Sequence, residues 1–196
     1  MTKEPRKRPS ARERLLAASH ELFYRDGVHS TGIDAVIDKA GVAKGSLYYI
    51  FGGKDNLVAA YLQEQHADWG ARVAHHQQGL TNPDELLLAV FDAIAEYVSL
   101  PEFRGCAFVN AAAERPAGSA QEAVTQEFRH WLRQTFTELA DDSGVPDPAA
   151  LIDALVVLYD GAVATASMDN TAGAAALTAK RIARLTLAAA KASTSS

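Results

Sequence analysis

Lys44, Gly45, Ser46, Tyr48 and Tyr49 stand within six residues of one another, and Lys54 follows shortly after. These residue types suit a nucleic acid duplex. An ammonium group can meet a phosphate or a guanine edge, phenolic hydroxyls can reach phosphate oxygens, and a residue without a side chain lets backbone come close. Lys54 opens the run Lys54-Asp55-Asn56-Leu57, which reads as a helix start after Gly52-Gly53. A cation there opposes the helix macrodipole unless an outside anion offsets it, and a phosphate bound jointly by the first-turn amides and the ammonium would do so. A helical hairpin whose polar face merely meets water is the alternative, and spacing alone leaves it open.

The elements that must hold these residues are legible on both sides. Ile33, Val36, Ile37 and Ala40 recur at one-turn spacing, Gly41 suits the left-handed position that ends a helix, and a second helix follows with Leu47 and Phe51 facing inward. Lys44, Gly45, Tyr48 and the Tyr49 edge then fall on another side. Upstream, Ser10 and Glu13 have capping-box spacing, Leu15, Leu16, Ala18, Ser19, Leu22 and Phe23 supply an inner stripe, and Gly27 supplies the stop. The pattern predicts a helix-turn-helix within a three-helix unit.

Leu22-Phe23 with Gly27, Ala40-Gly41-Val42 through Leu47-Tyr48-Tyr49-Ile50-Phe51, and Lys54-Asp55-Asn56-Leu57 together resemble the TetR family of bacterial transcriptional regulators, over about residues 10–62. The resemblance implies that the helix pair reads the major groove and that Tyr48 and Tyr49 lie on the recognition helix. It implies further that Lys54 holds a phosphate and that Lys44, Gly45 and Ser46 form the leading end. Two positions depart from the family pattern. Ala43 stands where a Ser or Thr cap is frequent, and Gly32 stands where Thr is frequent, with the neighbouring Thr31 as a stand-in cap and a further candidate DNA-contacting residue.

Charge agrees with this polarity. Residues 1–56 hold ten Lys and Arg against seven Asp and Glu, whereas the remaining residues hold nine against seventeen, within a total of −5. A basic end on an acidic body orients one face toward DNA. Lys3, Arg6, Lys7 and Arg8 form a short arm, read either as a strand-tracking extension or as a solvated tail. No secretion signal is recognisable and no run reads as long enough to cross a bilayer, so the expected compartment is the cytoplasm with no membrane partner. The single cysteine, Cys106, fits a reducing interior.

Beyond residue 62 the pattern is helical throughout. Expected helices run from Lys54 to the stop at Gly79, from Asn82-Pro83 to about Ser99, from Pro101 through Cys106 to Asn110, and from Ser119 to Leu139. After Gly144-Val145-Pro146, a helix from Asp147-Pro148 carries two apolar rows, Leu151, Leu155, Leu158 and Ala162 beside Ile152, Val156, Tyr159 and Val163, and thus needs two burial partners. A last helix, about Thr171 to Lys191, is rich in alanine. The expected fold is all-α with about nine helices: a DNA-binding domain over 1–56 and a ligand-binding and dimerisation domain over 57–196.

By resemblance, the last two helices build a four-helix bundle between subunits, with Leu151, Leu155, Leu158, Ala162, Ile182 and Leu185 as dimer residues. A homodimer would read a pseudo-palindromic duplex through recognition helices one turn apart. The resemblance also puts a small-molecule pocket between about 63 and 168. Candidate lining residues are His66, Trp69, Phe91, Phe103, Cys106, Asn110, Phe128, Trp131 and Tyr159. Arg104 through Glu114 is similar to a segment of one branch of the family in which a thiol senses oxidants or electrophiles, so Cys106, near a helix start and an arginine, is read either as a thiol of lowered pKa or as a buried small hydrophobe. No catalytic or metal-ligating constellation is recognisable, and no cofactor is expected; His75 and His76 are adjacent and point to different sides of a helix. The expected function is a transcriptional regulator, a repressor released by a ligand. The alternatives are a thiol-based sensor, or a helical enzyme or interaction protein with an idle DNA module.

Overall fold

The computed structural model describes residues 9–112, 118–169, 171 and 173–192. Among them the chain forms nine helices and no strand. The basic arm expected at Lys3, Arg6, Lys7 and Arg8 lies outside the described residues. Contacts divide the chain into two compact units, residues 1–64 with 110–124, and residues 65–109 with 125–196.

In the first unit, α1 (Ala11–Asp26) starts on both halves of the expected capping box: Glu13 N–H donates to Ser10 Oγ at 3.2 Å and Ser10 N–H donates to Glu13 Oε2 at 2.7 Å. Its buried stripe is the one expected. Two short helices, α2 (Ile33–Ala40) and α3 (Lys44–Phe51), follow across the turn at Gly41, whose φ of 60° is the left-handed conformation the sequence calls for. Arg14 reaches from α1 to close this turn, donating from Nη1 to Ala40 O at 3.0 Å and Gly41 O at 2.8 Å. A cation on the terminal carbonyls of α2 satisfies acceptors the helix itself leaves open.

α4 (Lys54–Gln77) belongs to both units. The division expected after residue 56 falls after Glu64 instead, because Leu57, Val58, Tyr61 and Leu62 are buried in the first unit and Tyr61 meets Phe23 edge-on at 5.7 Å. The segment 110–124 joins this unit too, where Ala120 N–H donates to Asp55 Oδ2 at 3.0 Å and Gln121 Nε2 donates to Ala111 O at 2.6 Å.

The second unit is organised by α5 (Pro83–Val98), which starts on the Asn82 cap as expected, together with α8 (Ala149–Asp169) and α9 (Ala174–Ala192). α8 packs against both α5 and α9, which supplies the two burial partners its two apolar rows require. The expectation that no run is long enough to cross a bilayer is corrected: α8 has 21 residues with a mean hydropathy of 1.7 in its apolar window, long and apolar enough by length and composition. Burial accounts for part of its apolarity, since Leu151, Ile152, Leu155, Val156, Tyr159, Ala162, Val163 and Ala166 are core residues. Lys180 of α9 donates to Asp92 of α5 at 2.6 and 2.8 Å, and Lys191 to Asp84 at 2.5 and 2.7 Å, fixing the register of that pair.

Two boundaries differ from expectation. The helix expected from Pro101 begins only at Ala107, as α6 (Ala107–Ala112), because Gly105 has a φ of 92° and interrupts helical backbone. α7 (Ala120–Asp142) runs a turn past Leu139 and ends before Gly144, whose φ is 72°.

Candidate nucleic-acid interface

α3 is held from three sides. Leu47 and Phe51 are buried beneath it, Gly52 ends it with a left-handed φ of 75°, and Asn56 Nδ2 donates to Phe51 O at 2.8 Å. Its start carries no side-chain cap, as the Ala43 departure implied; the Ser46 N–H instead donates to Ala43 O at 2.9 Å in a tight first turn. The opposite face is open. Tyr48 is 48% exposed and Tyr49 is 92% exposed, an arrangement that leaves two large aromatic rings in water. Lys44 and Gly45 are exposed beside them, and Ser46 is half-buried. A side chain at Gly45 would meet nothing within 4 Å, so the position is an open, flat patch of backbone on this face.

Lys54 is half-buried at the first residue of α4. Thr31 is elsewhere in role. It is buried, and its hydroxyl donates to Gly27 O at 2.8 Å and Leu22 O at 3.3 Å, so it closes the C-terminal end of α1. The expectation that it stands in as the cap of α2 is corrected, since α2 starts at Gly32 without a side-chain cap; its burial leaves little of it for a duplex to touch.

Asp34 is a residue the sequence reading missed. It lies near the start of α2 and accepts a hydrogen bond at Oδ1 from Lys44 Nζ at 2.8 Å, which raises the lysine pKa. The two residues sit on different helices, so no helical periodicity signals the pairing.

The candidate pocket residues divide into several groups. Within the second unit, Trp69 lies edge-on to Tyr97 at 5.8 Å and Tyr159 at 5.7 Å, and Tyr97 meets Phe103 at 5.3 Å. His66 lies edge-on to Phe128 and Trp131 at 5.5 and 5.0 Å, and burial lowers its pKa. Phe91 instead stacks on Phe136 at 6.2 Å and is fully buried, a core residue. Asn110 is exposed and falls in the first unit. Trp69 Nε1 is buried with no hydrogen-bond partner among the described residues. An indole N–H in that state lacks the interaction it would have had with water.

Of the two readings of Cys106, the lowered pKa is the one contradicted. Burial raises its pKa, against the opposing effect of the Val109 and Phe108 backbone N–H groups at the start of α6, so the thiol form is favoured. Arg129 contributes only a small lowering, because its guanidinium is engaged by Asp160 at 2.7 and 2.9 Å.

The dimer residues also divide. Leu151, Leu155 and Ala162 are buried against the protomer's own helices and expose almost nothing for a partner. Leu158 is half-buried, while Ile182 and Leu185 are exposed. The apolar residues that α8 and α9 do expose include Val157, Met168 and Leu177. A one-residue shift in helical phase separates Val157 from the buried row, which sequence alone could not fix once both rows were apolar.

A helix-turn-helix with an uncovered tyrosine-bearing second helix, on a chain whose remaining described elements are helical, defines a helix-turn-helix regulator. Residues 15–61 match the family model described as "Bacterial regulatory proteins, tetR family". The chain is 34% identical to SCO4454, a TetR-family transcriptional regulator from Streptomyces coelicolor, covering 92% of this chain and 96% of that one with a TM-score of 0.84. It is 27% identical to the HTH-type transcriptional regulator LmrA of Bacillus subtilis over 74% of this chain and 82% of that protein. It is 32% identical to the HTH-type transcriptional activator FasR of Mycolicibacterium smegmatis over 46% of this chain and 42% of that protein. The chain belongs to the TetR family and is a DNA-binding transcriptional regulator.

Proposed function

We propose that this regulator acts as a homodimeric repressor that reads a pseudo-palindromic duplex with α3 and releases it when a small molecule binds the second unit. The observation that carries the DNA half is the exposed face of α3, where Tyr49 is almost wholly in solvent on a helix fixed by Leu47, Phe51 and Asn56. Tyr48, Tyr49 and Lys44 supply contacts from α3, and Lys54 holds a phosphate at the start of α4. Val157, Met168, Leu177, Ile182 and Leu185 are apolar side chains on the surface of α8 and α9, and burying them against a second copy accounts for their exposure.

The ligand reading rests on Trp69. Its unpartnered indole N–H, set among Tyr97, Phe103 and Tyr159, favours a largely apolar planar molecule that offers one acceptor. A ligand releases DNA only if it binds the non-operator state more tightly. Selecting bound fragments from random duplexes, then screening compounds for release, tests both halves. Recovery of a symmetric sequence is expected; recovery of none from a folded protein overturns the reading. Trp69→Phe keeps the ring packing and removes the donor, and is expected to weaken the releasing compound roughly tenfold.

A further inference from the structure

Lys44 and Asp34 form an ion pair between two well-exposed side chains, 60% and 75% in solvent, and such pairs contribute little to stability. Their position is more informative. Lys44 is the first residue of α3, whose first turn contains no acidic residue and whose cap position is Ala43. Asp34, in the first turn of α2, supplies the carboxylate that α3 lacks. A carboxylate beside the leading end of a recognition helix repels phosphates, so it lowers general affinity for DNA. An unfavourable group at such a place gains its use from discrimination between partners.

The chemistry of the pair is specific. Only Oδ1 of Asp34 is engaged, and Oδ2 has no hydrogen-bond partner among the described residues. The two side chains therefore offer ammonium hydrogens next to a free carboxylate oxygen. In the major groove a G·C pair presents two acceptors, guanine N7 and O6, next to one donor, cytosine N4. An A·T pair sets its donor between two acceptors and adds the thymine methyl, which would meet a charged group.

We propose that Asp34 and Lys44 act as one recognition element, Asp34 aiming Lys44 at guanine O6 and N7 while its second oxygen accepts from N4 of the paired cytosine. Asp34 is thus a positioning and specificity residue, and the inference rests on α3 entering the major groove. It gives one G·C pair in each half-site to this element, and the rest of the half-site to other residues of the interface.

The test uses the full chain and the operator recovered from random duplexes, with Lys44→Ala, Asp34→Asn and the double variant measured on operators altered one base pair at a time. Circular dichroism checks that all remain helical. Asp34→Asn is expected to lose roughly tenfold of discrimination at one symmetric pair of G·C positions, while binding unrelated duplex more tightly because a negative charge is gone. Lys44→Ala is expected to lose preference at the same positions, and the double variant to lose no more than the larger single effect. If Lys44→Ala binds the operator as tightly as the parent, the pairing is overturned, and if Tyr49→Ala does so as well, the groove reading falls with it. If Lys44→Ala weakens binding but Asp34→Asn keeps the full base preference, or loses it at a different position, the groove reading stands and the pairing alone is overturned.

Discussion

At the scale of single residues, exposure separates side chains that hold the recognition helix from side chains that can use it. Tyr49 and Tyr48 project from α3, whereas Thr31, equally polar and close in sequence, is consumed by α1. Tyr49→Ala is therefore expected to weaken operator binding with helicity and thermal midpoint unchanged, measured by fluorescence anisotropy alongside circular dichroism. Thr31→Val should do the reverse: a loss of about 1–2 kcal/mol of stability from the abandoned carbonyls, with operator affinity per folded molecule unaltered. His66 adds a pH dependence. Burial lowers its pKa from 6.5, so the folded chain binds fewer protons than the unfolded chain as pH falls below that value. Stability from this group is full above about pH 6.5 and declines below it. The thermal midpoint is expected to drop further between about pH 7.5 and about pH 5.5 in the parent than in His66→Gln; equal drops would remove His66 as a source.

At the scale of elements, helix ends were more readable than helix faces. Ser10 with Glu13, Asn82 with Pro83, and the glycines at 27, 41 and 52 mark their termini because capping is local chemistry within a few residues. Gly41→Ala is expected to destabilise the chain by about 1–2 kcal/mol, since its left-handed backbone disfavours a Cβ; a denaturant titration would show it. The exposed tyrosine face of α3 was legible for the same reason, as Leu47 and Phe51 set its phase within two turns. Three features were not. Arg14 closing α2, Asp34 meeting Lys44, and Asn56 closing α3 all join different helices, and spacing along one helix carries no trace of them. In α8, apolar residues nearly all round leave the outward side undefined by sequence: Leu151 and Leu155 are buried, whereas Val157 is exposed. The lowered pKa offered as one reading of Cys106 failed because proximity to a helix start and an arginine was visible in sequence, whereas the degree of burial was not.

At the scale of the whole molecule, the two halves of the function should be separable. Leu185→Glu places a charge among exposed apolar residues of α9 and is expected to shift sedimentation toward the single chain while each chain stays helical; an unchanged mass would move the pairing surface elsewhere. Operator affinity should then fall steeply, because half of the phosphate contacts are lost with the second copy. In the intact dimer, Lys54→Ala should reduce the slope of log affinity against log salt by about 0.9 per subunit.

The sequence carries one sulfur nucleophile, Cys106, and the surroundings of α6 keep it as a thiol. A thiol kept in that form reacts slowly with alkylating reagents. Their reaction rate with the native chain reports on the surroundings of this half-buried thiol without any engineered label, and a compound that settles there should slow it.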